Sequence, residues 1–449
     1  MTRPPPAAQS PSPPSPDRTR LPHGNGRSQR ARRARGNGIA LLLVVAGALL
    51  GWALPAAERH LPAPALDFDA ATAQATLAAI AGGMITLAGF VVTAITLVVQ
   101  TVQTMSPRLV AALGHFSRHL VLFGLLIGTA LYALVTLSQV RGEHVPRFTV
   151  TIAVGLVLVD AVTVLYLLAS LRHAVTGGGL ARAVGIRLRQ VVDGTCPAEA
   201  EHPPAPGPAV RTGTSVPVVR RGPPAVVLAV DEPRLTKLAA RHDLHVQLLY
   251  AVGEFTGDGA PVARVDVKGE LDPRTVRQVA ACVRYGPGRT MEQDSSYGLR
   301  LLADIAIRAL SPAVNDPATA VQALDHVEEG LVQLAGRPLG PVRLLDDRGV
   351  PRVSCPAPEW ADFVSLALDE TLLYGSSNPQ VVRRLRALLD RVAAAAPEHR
   401  RQPLTERRDA LDRLSDGALP DPLLRRVAAR PDPQGLGGRS PSPSPAADG

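Results

Sequence analysis

Four apolar runs, divided by short polar stretches, fill the first part of the chain: residues 39–57, 76–100, 119–139 and 148–170. The last three are long enough, at ~1.5 Å per residue, to cross ~30 Å of hydrocarbon as helices. The first is shorter and is interrupted near its end by Pro55. After residue 225 the pattern changes. The stretches AVVLAVD and HVQLLYAVGEFTGDGAPVARVDV alternate and are rich in β-branched residues, which predicts strands around a short helix at 233–241. Beyond that, apolar positions three and four apart predict helices near 272–284, 294–310, 317–334, 358–374, 378–396 and 403–416. The pattern therefore predicts a membrane α-helical bundle of four transmembrane helices plus a cytoplasmic α+β domain.

The connecting stretches complete the expected organisation. Residues 1–37 are rich in Pro, Ser, Gly and Arg and hold scarcely any large apolar side chains, so a disordered basic tail is expected. The membrane domain then covers 38–172. Residues 173–224 read as a linker with a helix at 180–192, residues 225–270 as a small β-rich module, 271–418 as a helical domain and 431–449 as a second disordered tail. The strand–helix–strand order of the small module is similar to the barrel-sandwich hybrids of biotinyl carriers, though no lysine stands at a hairpin tip.

Charge sets the orientation. Of 48 basic residues only Lys237 and Lys268 are lysines, and residues 1–37 hold eight Arg against one Asp, +7 of the formal +9. Arginines at 30–35, at 108 and 118, and at 172, 182, 187 and 189 flank the spans on one side, which places both termini in the cytoplasm and makes the lipid bilayer the first partner. A cleaved signal peptide competes for the first run, but the long leader and poor cleavage site favour an uncleaved anchor. Basicity confined to a tail and 3% aromatic residues argue against a nucleic-acid partner.

Within the spans, Gly47 and Gly51, Gly82, Gly83 and Gly89, and the pair Gly124 and Gly128 permit close helix approach, including self-association into a homo-oligomer. Asp160 stands midway along the fourth run, where an unpaired carboxylate costs ~2.5 to 3.5 kcal/mol. It belongs either to an ion or proton path or to a hydrogen bond from a threonine such as Thr93 or Thr96. Between the second and third runs, Ser106 and Pro107 predict a capped interfacial helix whose Arg108 meets lipid phosphate or the soluble domain.

The most specified stretch is RTMEQDSSYGLRLLADIAIRALSPAVNDPATA, residues 289–320. Leu299, Leu302, Ala303, Ala306 and Leu310 form one helical face, while Arg300, Asp304 and Arg308 are four apart on another. Pro312 ends that helix, and Asp316 before Pro317 starts the next. Two readings of this polar elbow stand side by side. It is turn chemistry with a salt-bridge ladder, or Arg289, Arg308, Ser311, Asn315, Asp316 and Thr319 converge on an anion, a nucleotide or a partner loop.

RT-x-x-QD followed by YGLRLLADIAIRALSPAVNDPATA, together with Ser106-Pro107-Arg108-Leu109, resembles the bacterial predicted membrane protein family known as domain of unknown function 2254. The resemblance covers roughly 38–395. It implies membrane helices and a soluble domain bearing the elbow, and it assigns no activity.

The remaining chemistry is sparse. Cys196, Cys282 and Cys355 are scattered, His242 and His245 lack a third ligand, and no phosphate-binding loop, zinc-protease or nucleophile-elbow motif occurs. Gly286-Pro287-Gly288 is a tight turn or a small anion nest. Ser311 lacks an identifiable base unless folding brings His326 near. A non-enzymatic membrane protein is expected, with no cofactor, binding an unknown small ligand, ion or partner through Arg289, Asp294, Arg300, Asp304, Arg308, Ser311, Asn315, Asp316 and Thr319. The alternatives are an ion channel or transporter using Asp160, and an enzyme of unknown type using Arg289, Asp294 and Asp316.

Overall fold

The computed structural model describes residues 18–20, 28–58, 66–105, 116–140, 145–174, 177–196 and 214–437. The chain divides into two compact units, Arg27–Ala183 and Val184–Gly449 with the amino-terminal Met1–Gly26.

The first unit is built from α1 (Ser28–Glu58), α2 (Ala70–Met105), α3 (Phe116–Gln139) and α4 (Arg147–Ala174). Each contains a stretch long and apolar enough to cross a membrane: Gly38–Glu58, Ala70–Leu97, Leu120–Gln139 and Arg147–Ala169. Small residues decide how α1 meets α3. A Cβ at Gly124 would come 2.6 Å from the Ala40 carbonyl oxygen, and one at Gly128 would come 2.7 Å from that of Leu43. Gly47 faces Gly128 and Gly51 faces Tyr132 equally closely, so two glycine pairs let the backbones touch. Gln139 Nε2 then donates to the carbonyls of Gly51 at 2.9 Å and Trp52 at 3.2 Å. Glu58, closing α1, accepts from the amides of Phe148 and Thr149 at 2.7 and 3.1 Å and so caps the start of α4.

The second unit takes up α5 (Gly177–Thr195) from Val184 onward and combines two sheets with a helical layer. The larger sheet uses β1 (Arg18–Arg20), β2 (Thr214–Val219), β4 (His245–Leu248), β6 (Pro261–Val267), β8 (Val342–Leu345) and β9 (Pro351–Cys355) in the order β1-β8-β9-β4-β6-β2. The β1/β8 and β4/β9 pairs are parallel, the rest antiparallel. The smaller sheet is β5 (Phe255–Thr256), β3 (Ala225–Val230) and β7 (Val283–Gly286), in that order. Alternation in β4 turns Val246 and Leu248 inward. They meet Leu235, Leu238 and Ala239 of α6 (Glu232–Arg241), Val279 of α7 (Pro273–Ala280), Leu344 and Val353 in one apolar core. The helical layer follows: α8 (Ser295–Ala309), α9 (Pro317–Ala335), α10 (Trp360–Gly375), α11 (Pro379–Ala395), α12 (Gln402–Ala418) and the short α13 (Pro422–Ala428).

Several expected boundaries change. The strands are not confined to residues 225–270, and the likeness to a barrel-sandwich hybrid does not hold. The hairpin β8–β9 lies inside the stretch expected to be helical, and Val246 and Gln247 pair with Val353 and Ser354. Residues 214–219, expected in the linker, form an edge strand on β6. The helix expected to reach residue 284 stops at Ala280, because Val283–Gly286 pairs with β3. In the amino-terminal tail, Arg18–Arg20 pairs with Val342–Leu344 and α1 begins at Ser28. At the other end, residues 431–437 are tied to α11. Asp432 N donates to the Arg383 carbonyl at 3.2 Å, and Arg383 Nε donates to that of Gly435 at 2.9 Å.

Candidate functional site

Arg289 and Asp294 stand just before and at the N-cap of α8. Asp294 is buried, 3% exposed, and its Oδ1 accepts the Tyr297 amide at 2.9 Å and the Ser296 hydroxyl at 2.6 Å. Arg289 neutralises it through Nε and Nη2, its Nη2 also donates to Ser296 Oγ at 2.9 Å, and its guanidinium lies over the Tyr297 ring. Gly253, at φ +96°, closes over the pair: a Cβ there would collide with Asp294 Oδ2 and come within 2.9 Å of Arg289 Nε. Between them, the Gln293 amide accepts from Val230 N at 2.9 Å and donates to Val230 O at 3.1 Å, imitating a strand neighbour at the end of β3. The RT-x-x-QD motif is thus occupied in fastening α8 to the smaller sheet.

The elbow is organised in the same way. Ser311 Oγ donates to the Arg308 carbonyl at 2.7 Å, and the Ser311 carbonyl accepts from the amides of Val314 and Asn315. Asn315 takes the left-handed conformation at φ +47°, which an asparagine tolerates. Asp316 caps α9, accepting the Thr319 amide at 3.0 Å and its hydroxyl at 2.5 Å. Pro312, Ala313, Val314 and Asn315 are exposed at the tip.

Arg289 and Asp294 therefore lie at one end of α8, and Arg308, Ser311, Asn315, Asp316 and Thr319 at the other. Fifteen residues at ~1.5 Å each separate them by roughly 22 Å. The expected convergence of both groups on one ligand is not what the fold builds, and an enzyme using Arg289, Asp294 and Asp316 together meets the same separation. His326 lies against Gly185 and 3.6 Å from Glu329, not at Ser311, whose hydroxyl donates to the Arg308 carbonyl. Arg300 and Asp304 form a 2.8 Å ion pair, and Arg300 also binds Glu370 of α10 in a bidentate fork at 2.7 and 2.9 Å. Glu370 had no local signal, being seventy residues away. Arg384 was missed for the same reason. It is 2% exposed and bridges α11 to Asp325 and Glu328 of α9.

Burial pushes the Cys282 thiol up to about 11. Among the described residues no group of three or more His, Cys, Asp or Glu side chains is placed to hold a metal ion. Ser106 and Arg108 lie outside the described residues.

In the first unit, Asp160 of α4 and Thr129 of α3 are both buried. The threonines expected to answer Asp160 do not do so: Thr93 donates to the Gly89 carbonyl at 3.0 Å and Thr96 to that of Val92 at 2.9 Å, each within α2. Thr129 is instead the threonine close enough to bear on the Asp160 carboxyl, without a hydrogen bond of ordinary geometry between them.

Comparison with known proteins agrees with this architecture. An uncharacterised protein of Mycobacterium tuberculosis (strain H37Rv) is 30% identical over 263 residues, 56% of this chain and 49% of its own length. An uncharacterised protein of Mycobacterium bovis matches with the same figures. The chain thus spans about half the length of the curated relatives it matches. No solved structure matches it. The profile of the predicted membrane protein family called domain of unknown function 2254 matches residues 38–391, most of the chain and all four apolar helices, and the protein belongs to that family.

Proposed function

We propose that this protein is a multi-pass protein of the bacterial cytoplasmic membrane, with both termini in the cytoplasm, whose soluble unit is a binding module rather than an enzyme. The module presents the 311–316 elbow to a protein partner. One observation carries the reading: the side chains of Ser311, Asp316 and Thr319 are spent on holding the elbow's own turn and cap, while Val314, 49% exposed, is left outward on a turn fixed by Ser311 and Asp316. A rigid exposed tip loses little conformational freedom on docking. A protein partner is favoured over a small anion because the outermost side chains of the tip, Pro312, Ala313 and Val314, are apolar and exposed. The arginine bias around the spans supports the orientation.

A photo-crosslinking side chain at Val314, compared with one at the exposed Val350, tests this in intact cells. A discrete adduct at 314 alone is expected; an adduct of twice the chain mass would make the partner a second copy. No adduct at 314, or equal yields at both positions, overturns the elbow reading. A reporter fused after residue 430 that is active only outside the cytoplasm overturns the orientation.

A further inference from the structure

The membrane unit contains a polar pair that its surroundings leave unanswered. Asp160 is 0% exposed and Thr129 2% exposed, and among the described residues neither the two carboxylate oxygens nor the Thr129 hydroxyl has a hydrogen-bond partner. Both interrupt one apolar layer. Thr129 falls between Leu126 and Ala130 of α3, and Asp160 between Val157 and Val164 of α4; Met84, Ala88 and Val91 of α2 complete that layer. The sequence of α2 has no titratable side chain, and of those in α3 Arg118 and His119 stand in its first turn and Tyr132 packs in the other apolar cluster of this unit. Among the described spans the other charged side chains are Glu58 and Arg147, both at helix ends. Glu58 is engaged by the amides of α4, and Arg147 pairs with Asp67 at 2.8 Å.

An ionised carboxylate in such a place lacks both water and a counter-charge, and insertion scales set the cost at ~2.5 to 3.5 kcal/mol. What is missing is one positive charge. Sodium sites in membrane proteins draw several oxygens from unwound helix carbonyls, but α3 and α4 are continuous helices here, with their carbonyls used internally. A proton needs a single oxygen. It leaves a neutral acid whose O–H can donate to Thr129 Oγ1, giving each side chain one partner.

We propose that Asp160, assisted by Thr129, is a proton-binding site of the membrane unit. A hydronium ion gives its proton to a carboxylate oxygen, forming the O–H bond and leaving water, and release returns the same proton to water. The neutral form favours close packing of α3 on α4, whereas the ionised form demands water between them, so proton occupancy is coupled to how these helices pack. The inference is independent of the elbow and of any partner.

Dicyclohexylcarbodiimide, an apolar reagent that adds to a carboxyl only in its protonated form, tests it on the intact chain in lipid nanodiscs, with adducts located by mass spectrometry. An adduct at Asp160 is expected at neutral pH, where the exposed Asp67 remains unmodified, with yield falling about tenfold per pH unit once the proton is lost. Thr129→Val should shift that fall along the pH axis, and Thr129→Ser should restore it. No adduct at Asp160 at any pH, or one that forms only in acid alongside Asp67, overturns the proposal. The decisive measurement uses the unmodified sequence, so it does not depend on how well a variant folds.

Discussion

Arg289 grips Asp294 through two nitrogens, Nε to Oδ2 at 2.9 Å and Nη2 to Oδ1 at 3.1 Å, and the carboxylate so held also caps α8. Removing the arginine would leave a buried charge facing only a hydroxyl and one amide.

Arg289→Ala should therefore destabilise the soluble unit by about 3 kcal/mol, the low end for a broken buried pair because the arginine side chain is 31% exposed. Urea unfolding read by the fluorescence of Trp360, in a Trp52→Phe background, measures it. A loss below ~1 kcal/mol would mean that the pair contributes no more than a surface ion pair.

Gly253→Ala should cost about 2 kcal/mol or more, since alanine is strained at φ +96° and its Cβ would push into Asp294 and Arg289. Gly259→Ala is the control: it has positive φ, at +74°, but open space around it, so its loss should be smaller. Equal losses in the two variants would remove the steric part of the argument.

The β8–β9 turn should make the second unit acid-sensitive. Burial would raise the Asp346 carboxyl, but Arg352 and the amides of Val350 and Arg348 outweigh it and hold the group below its ordinary value of 3.8. Arg300 likewise lowers Glu370. A carboxyl lowered in the folded state contributes stability that is complete above its unfolded value and lost as pH falls through its folded value. Unfolding midpoints measured from neutral pH down through the carboxylate range should decline, and Asp346→Asn should flatten that decline. An unchanged slope would exclude Asp346 as a source.

Gly124→Leu should unpack α1 from α3 and lower the melting temperature of the membrane unit in detergent, because the Ala40 backbone fills the space a side chain needs. Gly82→Leu should be near neutral, since no heavy atom lies within 4 Å of the position its Cβ would take. The reverse order would show that the α1–α3 contact is not what holds this unit.

The features legible in the sequence were those with local causes. Long unbroken apolar runs had to be membrane helices, and an Asp followed by Pro, with Thr three residues on, had to start α9, because caps act within one turn. The elbow pocket failed because side-chain type says nothing about which end of a helix a residue occupies in relation to the others: Arg289 and Asp316 share a motif but not a place. Thr93 and Thr96 were reasonable partners for Asp160 by depth alone, yet the packing of α3 on α4 selects Thr129.

Taken by itself, the sequence determined four apolar spans, the amphipathic faces of the later helices and the caps at their starts, since each depends on neighbours within a few residues. Only the tertiary structure decided that β4 lies beside β9, that Arg300 reaches Glu370, that the glycines of α1 and α3 rather than those of α2 meet a neighbouring backbone, and that Asp160 is enclosed without a counter-charge among the described residues. Those relationships join residues tens to more than a hundred positions apart, and they exist only once the apolar surfaces have closed on one another.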